Sequence, residues 1–268
     1  PEVLELVDMP KPVPGPGEVL VKIHAVTVSS GDSRVRSFRL PRGFGLIGRL
    51  ALGFTGPRTP VLGTDIAGTI EAVGAGVTRF APGDSVVAFP GGAMGCHAEY
   101  RIVSMTIPVA SKPANLSFEE AVSLIFGGMT AVHYLEKAEL KAGEKVLVIG
   151  ASGAVGSAMV QLARHKGAEV TAVSSATNAD LVTSLGACKV IDYAREDFTN
   201  GSETYDVIAD TVGVSTFAQC VPVLNEHGRF LNISGDLASL FTRPARTKRS
   251  IGGPASEKPE YLTELVKL

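Results

Sequence analysis

A glycine-rich heptapeptide, GASGAVG at 150–156, directly follows an apolar run typical of a buried strand and opens a helical stretch. In such a strand-turn-helix unit, three small positions allow a tight turn, close approach to a pyrophosphate and helix-to-strand packing, and the helix N-terminus points at the phosphates. Ala151, Gly153 and Gly156 occupy these positions. A plain strand-to-helix turn is the alternative, but the further strand-helix units that follow favour dinucleotide binding. The predicted phosphate-loop residues are Gly150, Ala151, Ser152, Gly153, Ala154, Val155 and Gly156.

The end of the second strand of this unit, TAVSSATN at 171–178, decides which dinucleotide is favoured. An Asp or Glu at this point would hold the ribose 2′-hydroxyl of NAD. Ser174 and Ser175 stand there instead, Asn178 follows, and the first carboxylate is Asp180. Because hydroxyls tolerate a 2′-phosphate that a carboxylate would repel, the sequence predicts NADPH as the cofactor, with NADH less favoured, although this stretch contains no Arg or Lys.

The composition excludes several other classes of protein. The 268 residues are 45% hydrophobic and 19% charged, as in a globular chain and unlike a disordered one or a coiled coil. A formal net charge of −2 gives no overall basic field, so we expect no nucleic acid and no membrane partner, and any polyanion would have to be bound locally. Cys96, Cys188 and Cys220 fit neither a disulfide framework nor a zinc knuckle, which favours a reducing, cytoplasmic compartment.

The elements around the chemical residues divide the chain into two domains. Short β-branched runs with Gly and Pro punctuation predict an antiparallel β domain of barrel type over residues 1–116. A capping-box pattern at Ser117 and Glu120 begins a helical run, which Gly127 and Gly128 should loosen or break. Beyond it, strands alternate with helices, which predicts a doubly wound parallel α/β domain over 117–268.

Four segments carry a more specific pattern. They are EVLVKIHAVTVSSGD (18–32), PVLGTDIAGTIEAVGAGVTRFAPGDSVVAF (60–89), KAGEKVLVIGASGAVGSAMVQLA (141–163) and YDVIADTVG (205–213). Together they resemble the medium-chain dehydrogenase/reductase superfamily, in its zinc-free quinone oxidoreductase branch. The resemblance implies a GroES-like antiparallel β domain and a Rossmann domain, with the nicotinamide in the cleft between them. It also implies residues before Pro1 and a C-terminal return to the β domain that this sequence lacks.

Zinc-dependent members of this superfamily carry a Cys, a His and a second Cys at positions that read Ser29, Thr64 and Phe126 here. These side chains do not make a zinc ligand set. We therefore expect no metal, and the adjacent Cys96 and His97 are expected to be packing residues. Without a Lewis acid, hydride addition to a conjugated carbonyl is favoured over alcohol oxidation, because the product anion is delocalised.

The resemblance also assigns site residues. Ser30, Thr64 and Thr130 are candidates for the catalytic cleft; an exposed loop serine and a helix hydroxyl bonded to the backbone are the alternatives for Ser30 and Thr130. Asp32 and Asp65 are expected to fix backbone or pair with Arg34 rather than act as acid and base. The further cofactor-binding candidates are Tyr193, Val212, Gly213 and Ser234.

The arginine-containing stretch between residues 39 and 58 could cover the substrate mouth, although a solvated surface loop is the favoured interpretation. The sequence thus predicts an NADPH-dependent reductase of quinones or α,β-unsaturated carbonyls that uses no zinc. The alternatives are an NADPH-binding structural or regulatory protein of the zeta-crystallin type and an enoyl-thioester reductase. The resemblance implies a homodimer formed through the edge of the Rossmann sheet, near residues 250–253.

Overall fold

The computed structural model describes residues 4–54 and 58–268, and in these residues an antiparallel sheet precedes a parallel one. Within the described part, the first sheet has the strand order β4-β1-β2-β3-β5, and every neighbouring pair is antiparallel. The sheet buries apolar side chains such as Val19, Ile66 and Val86, none of which is exposed. Its strands are β1 (Glu18–Ala25), β2 (Ile66–Val73), β3 (Ser85–Ala88), β4 (Tyr100–Ser104) and β5 (Val109–Ser111).

Two helices lie between β1 and β2: α1 (Ser30–Ser37) and α2 (Gly45–Leu52). The Ser29 side chain caps α1 and forms a capping box with Asp32. The second helix falls where the sequence favoured a surface loop. It begins after Phe44, which provides no side-chain cap, so the usual start signal of a helix is absent from the sequence.

The second sheet is parallel throughout, with the order β11-β10-β9-β6-β7-β8 in the described residues. The order reverses between β6 and β9, and open α/β sheets bind ligands at the carboxyl ends of the strands beside such a reversal. The strands are β6 (Lys145–Ile149), β7 (Glu169–Ser174), β8 (Lys189–Asp192), β9 (Tyr205–Asp210), β10 (Leu224–Asn232) and β11 (Arg249–Gly252). The helices are α5 (Ala154–His165), α6 (Ala179–Ser184), α7 (Phe217–Cys220) and α8 (Pro259–Leu265).

The two sheets are joined by α3 (Phe118–Ser123) and α4 (Ile125–Ala138). Ser117 Oγ accepts from the Glu120 amide at 3.1 Å, which confirms the predicted capping box. The helix breaks at Leu124, however, and not at the glycines. Gly127 remains helical because the helix packs tightly there: a Cβ on it would lie 2.3 Å from the Ala154 carbonyl oxygen at the start of α5.

One apolar cluster runs through both halves of the chain. It includes Ala67 and Val87 of the first sheet, Met129 of α4 and Val148 of β6. In the described residues, no helix is both long enough and apolar enough to cross a membrane. The observed sheets confirm the predicted combination of an antiparallel β unit and a doubly wound parallel unit.

Candidate cofactor site and cleft

The phosphate loop at 150–156 is built from glycines with different tasks. Gly150 has a φ of 78°, so the left-handed turn falls on it and not on Ala151, to which the sequence assigned the turn. Ala151 is instead buried, and its amide donates to the Val173 carbonyl at 3.1 Å. Gly156 has the predicted packing role, since a Cβ there would lie 2.1 Å from the Gly150 carbonyl oxygen.

Gly153 leaves the start of α5 open. It is the N-cap residue, it is exposed, and a Cβ on it would meet the Gly150 carbonyl oxygen only at an ordinary 3.4 Å. The first amides of a helix have no partner within the helix, and no described side chain caps them here. This helix terminus can therefore donate hydrogen bonds to an anionic group such as a pyrophosphate.

The end of β7 lies beside this loop. The Asn178 side-chain amide donates to Ser152 Oγ at 3.0 Å and ties the two segments together. Ser174 is buried and its hydroxyl donates to the Ser175 carbonyl at 3.2 Å, while Ser175 itself is half-buried. Tyr193 joins the group because its amide donates to the Ser174 carbonyl at 3.3 Å, with its ring 66% exposed. The structure thus brings together the residues that the sequence proposed for the ribose side.

Arg195 is a cation that the sequence reasoning missed. The stretch 171–178 at the end of β7 contains no Arg or Lys, but pairing of β7 with β8 places Asp192 opposite Ser174. Arg195 Nε lies 3.6 Å from Asp192 Oδ2, and the arginine side chain is 81% exposed. A basic residue after the neighbouring strand was the signal that could have revealed it.

Asp210 organises the loop that follows β9. Its side chain is fully buried; Oδ1 accepts from the amides of Val212 at 3.0 Å and Gly213 at 2.7 Å, and Oδ2 accepts from the Ser215 amide at 2.7 Å. An Asp at a strand end, followed by a loop with glycine, was the available signal for this role.

The same loop is tied to the neighbouring strand ends. Ser234 Oγ donates to the Thr211 carbonyl at 2.9 Å, and Thr211 Oγ1 donates to the Ile149 carbonyl at 2.8 Å. Val212 is close enough to Gly150 that a Cβ on the glycine would lie 2.6 Å from Val212 Cγ1. Val212, Gly213 and Ser234 therefore lie together at the predicted edge of the sheet.

The three catalytic candidates are not joined by direct contacts in the described residues. Ser30 is exposed at the start of α1. Thr64 has a buried hydroxyl for which the described residues provide no hydrogen-bond partner. The Thr130 hydroxyl donates to the Phe126 carbonyl at 2.8 Å, which is the backbone bond considered as its alternative. Ser30 and Thr64 are linked indirectly. Asp32, on α1 with Ser30, accepts through Oδ1 from the amide of Gly63, the residue before Thr64, at 2.8 Å.

The positions that hold zinc ligands in zinc-dependent relatives have other tasks here. Ser29 Oγ donates to Asp32 Oδ2 at 2.9 Å, and the Phe126 ring centroid lies 6.5 Å from that of Phe89. Cys96 is buried, and burial raises the pKa of its thiol to about 12. Among the described residues no group of three or more His, Cys, Asp or Glu side chains could hold a metal ion. This donor set does not fit zinc.

Asp65 is a buried carboxyl beside Thr64. Oδ1 accepts from the Thr27 amide at 3.2 Å and from its hydroxyl at 2.6 Å, whereas Oδ2 has no partner in the described part of the chain. Burial raises the pKa of Asp65 above its usual 3.8, against the lowering effect of the two Thr27 bonds. Asp65 and Asp32 both fix backbone, as the sequence suggested.

The two halves of the chain match different families. Residues 15–114 match the alcohol dehydrogenase GroES-like domain, and residues 154–267 match the family described as zinc-binding dehydrogenase. The chain is 33% identical, over 289 aligned residues, to the chloroplastic quinone oxidoreductase QR1 of Triphysaria versicolor, covering 99% of this chain and 82% of that protein. It is 31% identical over 227 residues to the chloroplastic NADPH-dependent alkenal/one oxidoreductase of Arabidopsis thaliana, covering 81% of this chain and 55% of that one.

A solved structure has the same arrangement. The quinone oxidoreductase from Coxiella burnetii superimposes with a TM-score of 0.84 at 30% identity, covering 99% of this chain and 83% of that one. The similarity therefore spans both sheets and the helices that join them.

Proposed function

Because the chain belongs to the medium-chain dehydrogenase/reductase superfamily, in its quinone oxidoreductase branch, we propose that it reduces quinones or α,β-unsaturated carbonyls with NADPH. The observation that carries this proposal is the set of strand ends at the reversal of the parallel sheet. There the open N-terminus of α5, the carboxylate-free end of β7 and the loop held by Asp210 meet. Relatives named for quinone and alkenal/one reduction support it.

The residues present fit a reduced dinucleotide. The amides of Ala154 and Val155, in the uncapped first turn of α5, would hold the pyrophosphate, and Ser174, Ser175 and Asn178 would surround the ribose. Arg195 can neutralise a 2′-phosphate that its neighbour Asp192 would otherwise repel. The finer choice of NADPH over NADH rests on these residues.

The cleft residues would position the nicotinamide and the acceptor. The Thr130 hydroxyl donates to the Phe126 carbonyl, so its oxygen is left to accept from an N–H of the nicotinamide carboxamide. Ser30 and Thr64 are the hydroxyl candidates for a hydrogen bond to the acceptor oxygen, where a donor stabilises the developing negative charge. When bound, the reduced nicotinamide supplies a hydride to the acceptor, becoming NADP⁺, and a proton from solvent completes the hydroquinone or the saturated carbonyl.

The donor set at Ser29, Thr64 and Phe126 leads us to propose a reaction without zinc. The acceptor must then stabilise its own charge, which quinones and enones do by delocalisation. Stoichiometric zinc in the purified protein, measured by elemental analysis, would contradict this part of the proposal.

Stopped-flow oxidation of bound NADPH by a panel of quinones, enones and an enoyl thioester tests the function. We expect acceptor-dependent oxidation, and kcat/KM at least tenfold higher with NADPH than with NADH. A tenfold preference for NADH would overturn the cofactor assignment. Binding of NADPH without oxidation by any acceptor would instead favour a structural or regulatory protein of the zeta-crystallin type.

We also propose a homodimer in a reducing, cytoplasmic compartment, with no nucleic-acid partner. β11 is the edge strand of the described parallel sheet, which supports pairing with a second copy through Arg249–Gly252. The free thiols of Cys96, Cys188 and Cys220 support the choice of a reducing compartment. Sedimentation velocity would show a monomer if the dimer assignment is wrong.

A further inference from the structure

The positive charge of this chain is unevenly distributed. Between Ser33 and Thr64 the sequence has six arginines and no Lys, Asp or Glu, so the remaining residues carry a net charge of −8. The arginines at 36, 39, 42, 49 and 58 are exposed. The net charge of the whole chain, from which we expected no membrane partner, conceals this local basic segment.

The same segment exposes apolar side chains on α2. Leu46, Ile47 and Leu50 are 70%, 48% and 55% exposed. At about 100° per residue, these three positions lie within an arc of roughly 100° on one side of the helix. The opposite side is the packed one: Gly48 is buried, and a Cβ on it would lie 2.0 Å from Leu40 Cδ1.

One of these arginines, Arg49, is held in place on α2 itself. The Arg49 guanidinium lies 4.7 Å from the centroid of the Phe38 ring and donates to the Phe54 carbonyl at 3.1 Å. Phe54, which follows the C-cap residue Gly53, is itself 57% exposed. The surface thus combines exposed leucine, isoleucine and phenylalanine with exposed cations.

The basic segment also lies at the rim of the cofactor site. The Leu237 amide donates to the Arg42 carbonyl at 3.0 Å, and Gly43 packs against the Leu237 side chain. Leu237 follows β10 and Ser234, whose hydroxyl is bonded to the loop after β9. A partner bound to α2 would therefore be next to the opening of the cleft.

We propose that α2 and its flanking arginines dock the protein on the surface of an anionic lipid bilayer. Charge complementarity selects this occupant: an apolar helix face flanked by arginines matches a surface that is anionic at the headgroups and apolar beneath them. The arginines are spread over residues 36–58, and mobile headgroups can adapt to such a spread. The docking stands independently of the reaction proposed above, and the two together would place the mouth of the cleft where apolar quinones dissolve.

Co-sedimentation with phosphatidylcholine vesicles, with and without phosphatidylglycerol, tests the docking of the full chain. We expect binding to the anionic vesicles only, and weaker binding at higher salt. The double variant Arg39→Gln/Arg42→Gln should lower the partition coefficient about 25-fold, at about fivefold for each arginine. Leu50→Gln should lower it about tenfold or more, since a leucine is no longer buried in the bilayer.

Matched controls separate the surface from general effects of charge and hydrophobicity. Lys137→Gln/Lys141→Gln also removes two exposed cations, and Leu181→Gln replaces a leucine that is 48% exposed on α6. Both should retain vesicle binding, and all variants should retain the wild-type urea midpoint and reduction of a water-soluble quinone. This second readout keeps a failure of docking distinct from a failure of the reductase proposal.

Three outcomes would overturn the proposal. They are no binding to anionic vesicles, equal binding to neutral ones, and equal losses in the α2 variants and their controls. If the wild type does not bind vesicles and Leu50→Gln dissociates a dimer in sedimentation, the apolar face belongs to a second copy of the chain.

Discussion

Replacing Gly150 with alanine tests the construction of the phosphate loop, because the new methyl group meets two separate costs. The residue has a φ of 78°, a conformation that costs a side-chain-bearing residue about 1–2 kcal/mol. The added Cβ would also lie 2.6 Å from Val212 Cγ1 and 2.8 Å from Thr211 Oγ1. Both side chains must move, which costs about 1–3 kcal/mol more and strains the Thr211 hydrogen bond to the Ile149 carbonyl.

Gly143 provides a matched control in the same domain. Its φ is 80°, and a Cβ built on it meets no described atom within 4 Å beyond its chain neighbours. Gly143→Ala should therefore lower the free energy of unfolding by the conformational cost alone, about 1–2 kcal/mol. Gly150→Ala should lower it by about 2–5 kcal/mol, the sum of both costs.

Urea unfolding followed by circular dichroism, without cofactor, measures the two losses. Titration of NADPH fluorescence should show binding at least about tenfold weaker than wild type for Gly150→Ala, since the displaced Val212 belongs to the loop after β9 that we propose to face the cofactor. Binding by Gly143→Ala should be nearly unchanged. Equal losses of stability in the two variants would refute the reasoning, because the conformational cost alone would then explain both.

Three further substitutions test individual groups of the site. Ser175→Asp places a carboxylate at the end of β7. The ratio of kcat/KM for NADPH to that for NADH should shift at least about tenfold toward NADH. An unchanged ratio would show that the 2′-phosphate lies elsewhere. Asp210→Ala removes the acceptor of three loop amides. It should raise KM for NADPH and lower the free energy of unfolding by about 3 kcal/mol or more. A loss of stability below about 1 kcal/mol would contradict the organising role of Asp210. The pKa of Asp65 is raised in the folded state, so the stability tied to its protonated form is present below pH 3.8 and is lost as the pH rises through the folded-state pKa. Asp65→Asn keeps an oxygen for the two Thr27 donors, so urea midpoints measured across that range should vary less with pH than in the wild type, and an unchanged slope would contradict the assignment.

Local patterns predicted the parts of the structure that depend on neighbouring residues. The capping box at Ser117 needs only a hydroxyl and a carboxylate three residues apart, and the structure has both bonds. The phosphate loop needs small residues between a buried strand and a helix, and Gly156 is where the packing requires it. Such features are determined by residues only a few positions apart, so they could be predicted from the sequence alone.

Features that depend on contacts between distant segments were missed. Gly127 suggested a broken helix, but its missing side chain allows α4 to approach the Ala154 carbonyl. Arg195 was overlooked because it follows β8, and only the pairing of β7 with β8 places its neighbour Asp192 opposite Ser174. α2 was missed because Phe44 offers no cap, and its packing on Leu40 is visible only in the folded chain.

The positions of the lost zinc ligands show how the cleft is ordered without those donors. Ser29 caps α1 through Asp32, and the second oxygen of Asp32 holds the Gly63 amide directly before Thr64. One carboxylate thus fixes both the start of the helix and the loop where a zinc-dependent relative would hold the metal. Because Ser29 is already engaged and Phe126 packs against Phe89, replacing Thr64 by histidine alone would not rebuild a ligand set. Hydrogen bonds can order the backbone in this way, but they do not supply the charge of a metal ion, which is why we propose an acceptor that delocalises the electrons it receives.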